Sequence, residues 1–320
     1  MRMLTRRTFV ETLCGVAASA MVVDPRLAAA TSRAGGAQPH VKFPTAPRER
    51  MAVAAWPFRA YIDAPQNAER NRKVPGMDLK GFAAYVVEKF NVHGIEPYNL
   101  HFSSQKPEYL AGFRAALAKA NVRAVNIAVD QEQSFYDGEP ATRRQAVAYG
   151  KQWVDVAVAI GSPSIRTNMA PAANTPPNLS NAVESLRELA SYGAAKNVVV
   201  HLENDNLVSE DAFFVIEVIE GVNSPYLRAL PDFANSMMSG DADFNYRAIT
   251  AMFQRAYGIC HVKDVDADEK GKEFPIDLEK TIGILKASGY HGYGSVEYSG
   301  LGNPHEPTKK LIERAVRDLS

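Results

Sequence analysis

Four ionisable residues lie at the ends of four consecutive apolar segments in the second half of the chain. The segments end in VHLEND, LPDFAN, CHVKD and SVEYSG, and the residues are Glu203, Asp232, His261 and Glu297. If these residues converge, the three carboxylates repel each other and raise one another's pKa values. A divalent cation removes that repulsion and takes the imidazole as a fourth ligand. The pattern therefore predicts one divalent metal ion bound by Glu203, Asp232, His261 and Glu297.

Three carboxylates and one imidazole form a set of mainly hard ligands. Mn²⁺ fits this set best, and Mg²⁺, Co²⁺, Fe²⁺ and Zn²⁺ are also compatible with it. Four protein ligands leave coordination positions open for substrate oxygens, which a catalytic metal site requires. The predicted cofactor is therefore a catalytic Mn²⁺ ion or a similar cation.

The elements that must position these residues alternate between strand-like and helix-like segments from Met51 onward. The strand-like segments are MAVAAW, VHGIEPY, VRAVNIAV, PSIRTNM, NVVVHLEN, LRALPDF, YGICHVKD and YGSVEYS. The predicted helices cover residues 78–90, 107–120, 141–160, 179–195, 209–220, 244–255, 277–287 and 307–319. Strict alternation implies parallel strands joined by right-handed crossovers. Eight such units in about 270 residues fit a closed (β/α)₈ TIM barrel, an α/β fold.

An open doubly wound sheet is the alternative α/β fold. Such a sheet usually has a Gly-rich phosphate-binding loop after its first strand, and the stretch AAWPFRAYI at that place contains no glycine. The barrel is therefore the predicted fold, as a single domain over residues 51–320. Active sites of these barrels form at the carboxyl ends of the strands, which brings the four predicted ligands together.

The first thirty residues have the pattern of an export signal. The pair Arg6 and Arg7 precedes an apolar run that ends at Val23, and the small-residue stretch RLAAA ends near Ala30. Paired arginines before such a run are typical of the twin-arginine export route. The apolar run is short for a membrane span. We therefore expect residues 1–30 to be a signal peptide, the mature form to have no stable membrane span, and the protein to be periplasmic.

The next segment, residues 31–50, reads TSRAGGAQPHVKFPTAPRER and is rich in Gly, Pro and Ala. This composition predicts a flexible linker before the barrel. Cleavage near Ala30 leaves Cys260 as the single cysteine of the mature chain. An internal disulfide is then excluded, so the hydrophobic core must supply the stability.

The charge balance limits the classes of partner. Lys plus Arg and Asp plus Glu both number 36, so no strong electrostatic field attracts nucleic acid. A nucleic-acid partner is therefore not predicted. With 320 residues, 46% of them hydrophobic, the chain is long enough for one large core. A homo-oligomer is compatible with this composition.

Further polar and aromatic residues follow the barrel strands and are expected to contact a substrate. Trp56 follows the first strand and could stack on a sugar ring. Arg166 closes the fourth strand, and an arginine on a buried strand needs an anionic or polar partner. His201 shares a strand face with Glu203, because the two residues are two positions apart. The predicted substrate contacts are Trp56, Arg59, Glu96, Arg166, His201, Asn235 and Lys263.

The metal-ligand stretches resemble those of the xylose isomerase-like TIM barrels, the sugar phosphate isomerase/epimerase superfamily. HLEND, DFAN, HVKD and SVEYSG occur here in the order typical of that family, and the resemblance covers roughly residues 51–320. It implies that Glu203 and Glu297 are catalytic as well as metal ligands, because they move protons on either face of the substrate. Asn235 and Ala267 stand where ketose 3-epimerases usually have histidine and arginine. A simple ketose 3-epimerase is therefore not the expected activity.

The resemblance and the two glutamates together predict proton transfer next to a carbonyl group, with carbohydrate as the substrate. One glutamate takes the proton and the other returns it, through an enediolate that the metal stabilises. The expected activity is a sugar isomerase or epimerase, and export argues against phosphorylated sugars because these are cytoplasmic metabolites. A lyase that eliminates the aglycone from 3-keto-glycosides is an alternative. A non-catalytic sugar-binding module is a second alternative, which the pair of glutamates disfavours because binding requires no proton transfer.

Overall fold

A ring of parallel strands forms the centre of the computed structural model, which describes residues 38–205 and 211–320. Within that part of the chain the strands are β1 (Met51–Ala54), β2 (Gly94–Glu96), β3 (Arg123–Ala124), β4 (Ala128–Val129), β5 (Ser164–Thr167), β6 (Val199–Glu203), β7 (Leu227–Leu230), β8 (Ile259–Val262), β9 (Val265–Ala267), β10 (Glu273–Pro275) and β11 (Tyr293–Val296). Hydrogen-bonded neighbours follow the orders β3-β2-β1-β11-β8 and β4-β5-β6-β7. β3 and β4 are two pieces of one predicted strand, and Ala128 forms a parallel bridge to Tyr98 beyond β2.

Backbone hydrogen bonds between the β7 and β8 regions close the ring. Ala229 N donates to Arg255 O at 3.1 Å, and His261 N donates to Pro231 O at 3.0 Å. On the other side of the ring, β1 pairs in parallel with both β2 and β11. The predicted (β/α)₈ TIM barrel is confirmed.

A helix follows each barrel strand and packs its apolar side against the ring. The helices are α1 (Leu79–Phe90), α2 (Pro107–Lys119), α3 (Pro140–Ile160), α4 (Leu179–Lys196), α5 (Ala212–Val222), α6 (Ala242–Phe253), α7 (Leu278–Ala287) and α8 (His305–Leu319). Each lies within a few residues of its predicted range. Side-chain caps fix several first turns, as where Asp78 Oδ1 accepts a hydrogen bond from Gly81 N at 2.9 Å.

An antiparallel hairpin formed by β9 and β10 interrupts the alternation of barrel strands and helices. It lies between β8 and α7, and its register pairs Asp266 with Phe274. Gly271 has φ +76° at the turn, a conformation that favours glycine. Glu273 Oε1 accepts a hydrogen bond from Leu301 N at 3.0 Å, so the hairpin holds the loop that follows β11.

Residues 38–50, part of the predicted linker, lie across the end of the barrel where the strands begin. The ring of Phe43 packs edge-on against Tyr257 and Tyr293, with centroid distances of 5.5 and 5.6 Å. Arg50 donates hydrogen bonds to Gly292 O and Tyr290 O at 3.0 and 3.1 Å. This part of the predicted linker therefore covers the lower layer of the barrel interior, while the proposed domain boundaries at 30 and 50 stay predictions.

Phe43→Ala is expected to lower the free energy of unfolding by about 1–3 kcal/mol, because it removes a ring that covers the lower core. Urea denaturation of the full chain measures the change. Phe213→Ala is the matched control, since Phe213 is 39% exposed and its loss is expected to cost about 0.5 kcal/mol. Equal losses for the two variants would show that residues 38–50 add nothing specific to the barrel.

No helix within residues 38–205 and 211–320 combines the length and the apolar character that crossing a membrane requires.

Candidate metal centre

The four predicted ligands lie at the carboxyl ends of β6, β7, β8 and β11. Glu203 is the last residue of β6, His261 belongs to β8, Asp232 follows β7 by two residues, and Glu297 directly follows β11. All four side chains are buried. The barrel topology thus places them at one end of the ring, as the sequence predicted.

His261 Nδ1 is the atom on which the carboxylates converge. It lies 2.7 Å from Glu203 Oε1, 3.3 Å from Glu297 Oε2 and 3.4 Å from Asp232 Oδ2. The ligand atoms of Glu203, Asp232 and His261 all lie within 4.8 Å of one another. Two carboxylates and one imidazole are therefore within the span of a single cation, and Glu297 lies beside the same imidazole nitrogen.

The hydrogen bonding of the carboxylates fits a cation. Asp232 Oδ1 accepts backbone hydrogen bonds from Ala234 and Asn235, both at 2.8 Å, which fixes the side chain. Asp232 Oδ2 and Glu203 Oε2 are buried, and no described residue donates a well-formed hydrogen bond to either. Arg166 and Lys263 compensate these oxygens in part, at 2.8 and 3.1 Å, and the lack of a well-formed hydrogen bond leaves both oxygens able to bind a further cation. These residues fit a divalent ion that prefers oxygen ligands.

Two chain cations balance part of this negative charge. Lys263 Nζ lies 3.1 Å from Asp232 Oδ2 and 3.3 Å from Glu297 Oε1, and it donates a hydrogen bond to Asn235 Oδ1 at 2.9 Å. Burial lowers the pKa of Lys263, but the surrounding carboxylates outweigh burial and raise it well above its usual range. Lys263 is therefore a charged partner of two predicted ligands.

Arg166 on β5 is the second cation. Its Nε lies 2.8 Å from Glu203 Oε2, and its Nη1 pairs with Asp130. Asp130 Oδ2 in turn accepts a hydrogen bond from Tyr98 Oη at 3.0 Å. Arg166 thus orients Glu203 from the side opposite His261 Nδ1 and satisfies the need for an anionic partner that the sequence indicated.

The pKa of Glu297 is shifted by burial and by its charged neighbours. Burial raises the pKa of Glu297, and the neighbouring Glu203 adds to that rise, while Lys263 and His261 lower it. The balance leaves the pKa of Glu297 above its usual value.

A cavity of about 810 Å³ opens above this centre. Its inner end is lined by Glu203, Glu297 and neighbouring charged groups. Its outer wall comes largely from the loops after β1 and β11. The apolar and aromatic residues of that wall are Trp56, Pro57, Tyr61, Tyr298, Leu301 and Pro304. Of the predicted substrate contacts, the cavity lining includes Trp56, Arg59, Glu96, Arg166, Asn235 and Lys263.

A model of the xylose isomerase-like TIM barrel family matches residues 84–318. The chain belongs to the xylose isomerase-like TIM barrel family. The matched range includes all four predicted ligands. Among curated protein sequences, none matches this chain.

Solved structures with this fold include family members that bind a metal or act on sugars. A xylose isomerase-like TIM barrel protein from Mycobacterium smegmatis in complex with magnesium is 15% identical, with a TM-score of 0.62, over 84% of this chain and 97% of that one. A D-allulose 3-epimerase from Methylomonas sp. is 16% identical, with a TM-score of 0.64, over 88% and 100%. A 3-keto-D-glucoside 4-epimerase from E. coli is 14% identical, with a TM-score of 0.60, over 84% and 98%. At these identities the comparison shows the fold alone.

His201 is the predicted substrate contact that the structure places away from the cavity. Its Nε2 accepts a hydrogen bond from Gly258 N at 3.3 Å, and it lies near Phe43 in the lower part of the barrel. The alternation of strand side chains correctly gives it the same face as Glu203. A spacing of two residues also moves it about 6.6 Å along the strand toward the other end, too far to reach the cavity.

Glu96, Trp56 and Arg59 are at the cavity, but their contacts were not foreseen. Glu96 Oε2 lies 2.9 Å from His261 Nε2. Burial raises the pKa of Glu96, but the charge of His261 and the hydrogen bonds to the carboxylate outweigh burial and lower it to about 2. The guanidinium of Arg59 lies 4.5 Å from the centroid of the Trp56 ring, so it covers one face of the indole. Trp56 therefore has one ring face at most for a sugar.

The polar residues of the centre that were missed from the sequence include Asp130 and Asn126. Asp130 follows the third predicted strand, so the strand-end rule that found the ligands would also have found it. Asn126 lies inside the apolar stretch VRAVNIAV, and its Nδ2 donates a hydrogen bond to Glu96 Oε1 at 2.7 Å. A polar amide within a buried strand is a signal in itself, because it requires a partner.

Proposed function

We propose that this protein is a metal-dependent sugar isomerase or epimerase that acts on a non-phosphorylated keto sugar by proton transfer through an enediolate. The observation that carries the proposal is the pair of buried carboxylates, Glu203 and Glu297, beside the same nitrogen of His261 at the inner end of a large cavity. Membership of the xylose isomerase-like family and the sugar epimerases among the structures with this fold support it.

The cation would be held by Glu203, Asp232, His261 and Glu297. We propose that this cation is Mn²⁺. A divalent cation bound there would supply positive charge beside a carbonyl oxygen, which favours loss of a proton from the adjacent carbon. Glu203 and Glu297 take and return that proton at their carboxylate oxygens. Return to the other face of the same carbon gives an epimer, and return to the neighbouring carbon gives an isomer.

The remaining charged groups keep the two carboxylates in position. Arg166 holds Glu203 through its Nε at 2.8 Å, and Lys263 holds Glu297 through its Nζ at 3.3 Å. Asn235 Nδ2 donates a hydrogen bond to Glu203 Oε1 at 3.2 Å. Each proton-transfer group is thus fixed by a neighbour, which favours a defined distance to the substrate carbon.

The charges around the cavity favour a substrate without phosphate. The acidic residues of the lining are Glu69, Glu96, Asp130, Glu203, Asp205, Asp266, Glu269 and Glu297, whereas the basic ones are Arg59, Arg166 and Lys263. Arg166 and Lys263 are already paired with carboxylates, and Arg59 lies 3.8 Å from Glu69. A phosphate group is usually bound by cations that are available to it, so a neutral sugar suits this cavity better.

Deuterium incorporation tests the proposed chemistry. The Mn²⁺-loaded protein is incubated with keto sugars in deuterated water, and the sugars are analysed by NMR spectroscopy and mass spectrometry. We expect deuterium at a carbon next to the carbonyl group, because the abstracted proton exchanges with solvent before it is returned. If no keto sugar acquires deuterium or changes structure, the isomerase proposal is wrong and a sugar-binding module becomes the better interpretation.

A lyase acting on 3-keto-glycosides is the second candidate, and the size of the cavity favours it. The volume of about 810 Å³ is near the upper end of the range of roughly 300–1,000 Å³ for small-molecule pockets. A single sugar ring is smaller than a drug-sized ligand, so the cavity is larger than one ring requires. The outer wall with Tyr61, Tyr298 and Leu301 has room for an aglycone. The same incubation distinguishes the two, because elimination releases the aglycone and leaves an unsaturated keto sugar that absorbs ultraviolet light.

We further propose that the protein is exported to the periplasm by the twin-arginine route, on the basis of residues 1–30. Replacing Arg6 and Arg7 together by lysine is expected to leave folded protein in the cytoplasm, because the export machinery recognises the arginine pair. Cell fractionation followed by immunoblotting measures the distribution. Unchanged periplasmic delivery of the wild type in a strain that lacks only this route would contradict the proposal.

A further inference from the structure

Glu96 at the end of β2 lies against His261 of β8 and has both carboxylate oxygens engaged by protein groups. Oε2 lies 2.9 Å from His261 Nε2, and Oε1 accepts a hydrogen bond from Asn126 Nδ2 at 2.7 Å. Glu96 is 1% exposed and Asn126 is fully buried. The two protein donors, one on each oxygen, hold the carboxylate in place against His261.

The contact keeps a proton on Nε2 of His261. An ionised carboxylate accepts hydrogen bonds and donates none, so the nitrogen that faces Glu96, Nε2, must be the N–H donor. Nδ1 also faces a carboxylate, Glu203 Oε1 at 2.7 Å, but a cation held by Glu203, Glu297 and Asp232 would replace the proton on Nδ1, whereas Nε2 would stay protonated toward Glu96. Histidines that bind metals commonly donate their other ring N–H to a carboxylate in this way.

We infer that Glu96 is a positioning residue of the metal centre, which fixes the ring of His261 with Nδ1 toward the other ligands and thereby sets the metal affinity. The inference rests on the proposed metal-dependent function. Asn126 belongs to the same hydrogen-bond network, because Ser164 Oγ donates a hydrogen bond to Asn126 Oδ1 at 2.7 Å. That bond orients the amide with its NH₂ group toward Glu96.

Glu96→Gln tests the role because glutamine has the same shape but one acceptor and one donor. In both orientations of the glutamine amide, two donors face each other. If the amide oxygen faces His261, the NH₂ group faces the NH₂ group of Asn126. If the amide is reversed, its NH₂ group faces Nε2–H of His261. We expect the Mn²⁺ affinity to fall about 10- to 100-fold. Competition with a chromophoric chelator on the full chain measures it. Glu69→Gln is the matched control, since Glu69 lines the same cavity with a 61% exposed side chain, and its affinity should equal that of the wild type.

Combining Glu96→Gln with Asn126→Asp restores a complementary set of donors and acceptors. The new glutamine oxygen accepts from His261 Nε2–H, its NH₂ group donates to the new aspartate, and that aspartate still accepts from Ser164 Oγ. We expect the double variant to recover most of the lost Mn²⁺ affinity. Asn126→Asp alone is expected to bind Mn²⁺ less tightly than the wild type, because it places two carboxylates side by side. A general weakening of the fold would not give this pattern of loss and recovery.

Four results would overturn the inference. Equal Mn²⁺ affinity in Glu96→Gln and wild type would show that Glu96 does not position His261, and a raised KM with unchanged Mn²⁺ affinity would make Glu96 a substrate contact. If the wild type binds none of Mn²⁺, Mg²⁺, Co²⁺, Fe²⁺ and Zn²⁺, the proposed function is wrong and the role of Glu96 is wrong with it. If Glu96→Gln does not fold, as measured by circular dichroism, the double variant decides: a folded protein that binds Mn²⁺ tightly supports the inference, and a folded protein that does not bind overturns it.

Discussion

Glu297→Gln is expected to lower the turnover of the substrate by about 10² or more, because glutamine keeps the size of the side chain and one ligating oxygen but removes the base. Glu203→Gln is expected to have an effect of similar size. Both carboxylates lie beside His261 Nδ1, at 3.3 and 2.7 Å, so each is placed to act on a substrate at the inner end of the cavity. Steady-state kinetics with saturating Mn²⁺ measures turnover, and the metal content of each variant is determined in parallel.

Glu188→Gln is the matched control for these two variants. Glu188 pairs with Lys151 on the surface and its side chain is 58% exposed, so its turnover is expected to equal that of the wild type. Near-normal turnover in both site variants, with metal bound, would show that neither glutamate transfers a proton.

Asp232→Ala is expected to lose the bound metal while the barrel still folds. Asp232 is fully buried and has one oxygen fixed by backbone N–H groups, so the other oxygen is held toward the centre. The fold should persist because Lys263, which loses one partner, still pairs with Asp266 and Glu297 at 3.1 and 3.3 Å. Elemental analysis after dialysis measures the metal, and circular dichroism measures the fold.

Asp155→Ala is the control for that experiment, since Asp155 pairs with Lys196 on the surface and its side chain is 52% exposed. It should retain the metal content of the wild type. Full metal content in Asp232→Ala would refute the ligand assignment. An unfolded Asp232→Ala protein would show instead that the aspartate is required by the barrel itself.

The fold could be predicted from the sequence because each strand-helix unit has its own local signal. The eight apolar stretches are short and each is followed by a helical segment, so the order of elements specifies parallel neighbours without any knowledge of tertiary contacts. The β9–β10 hairpin gave no such signal. Its first strand continues directly from HVKD, and its pairing depends on a turn at Gly271.

The sequence predicted those site residues that could be recognised from their position at a strand end. It did not predict how deep in the barrel a residue lies or which side chain it contacts. Strand ends meet at one end of a barrel, which is why Glu203, Asp232, His261 and Glu297 could be grouped. His201 shows the limit of that rule. The alternation of side chains along a strand tells which face of the strand a residue lies on, but not how far it lies from the cavity end of the barrel. Glu96 shows another limit, since a carboxylate at a strand end can be used by a ligand histidine from across the barrel as readily as by a substrate.

The ammonium group of Lys263 within the carboxylate cluster has a consequence for the maturation of the protein. Because this cation is part of the chain, some of the counter-charge for Asp232 and Glu297 is present before any metal arrives. We therefore expect folding and metal loading to be separate events, so that a chelator would remove a bound ion from an intact barrel. The metal found in a purified sample would accordingly report the ions available where the protein was loaded, and reconstitution with single metals would be the way to rank their activities.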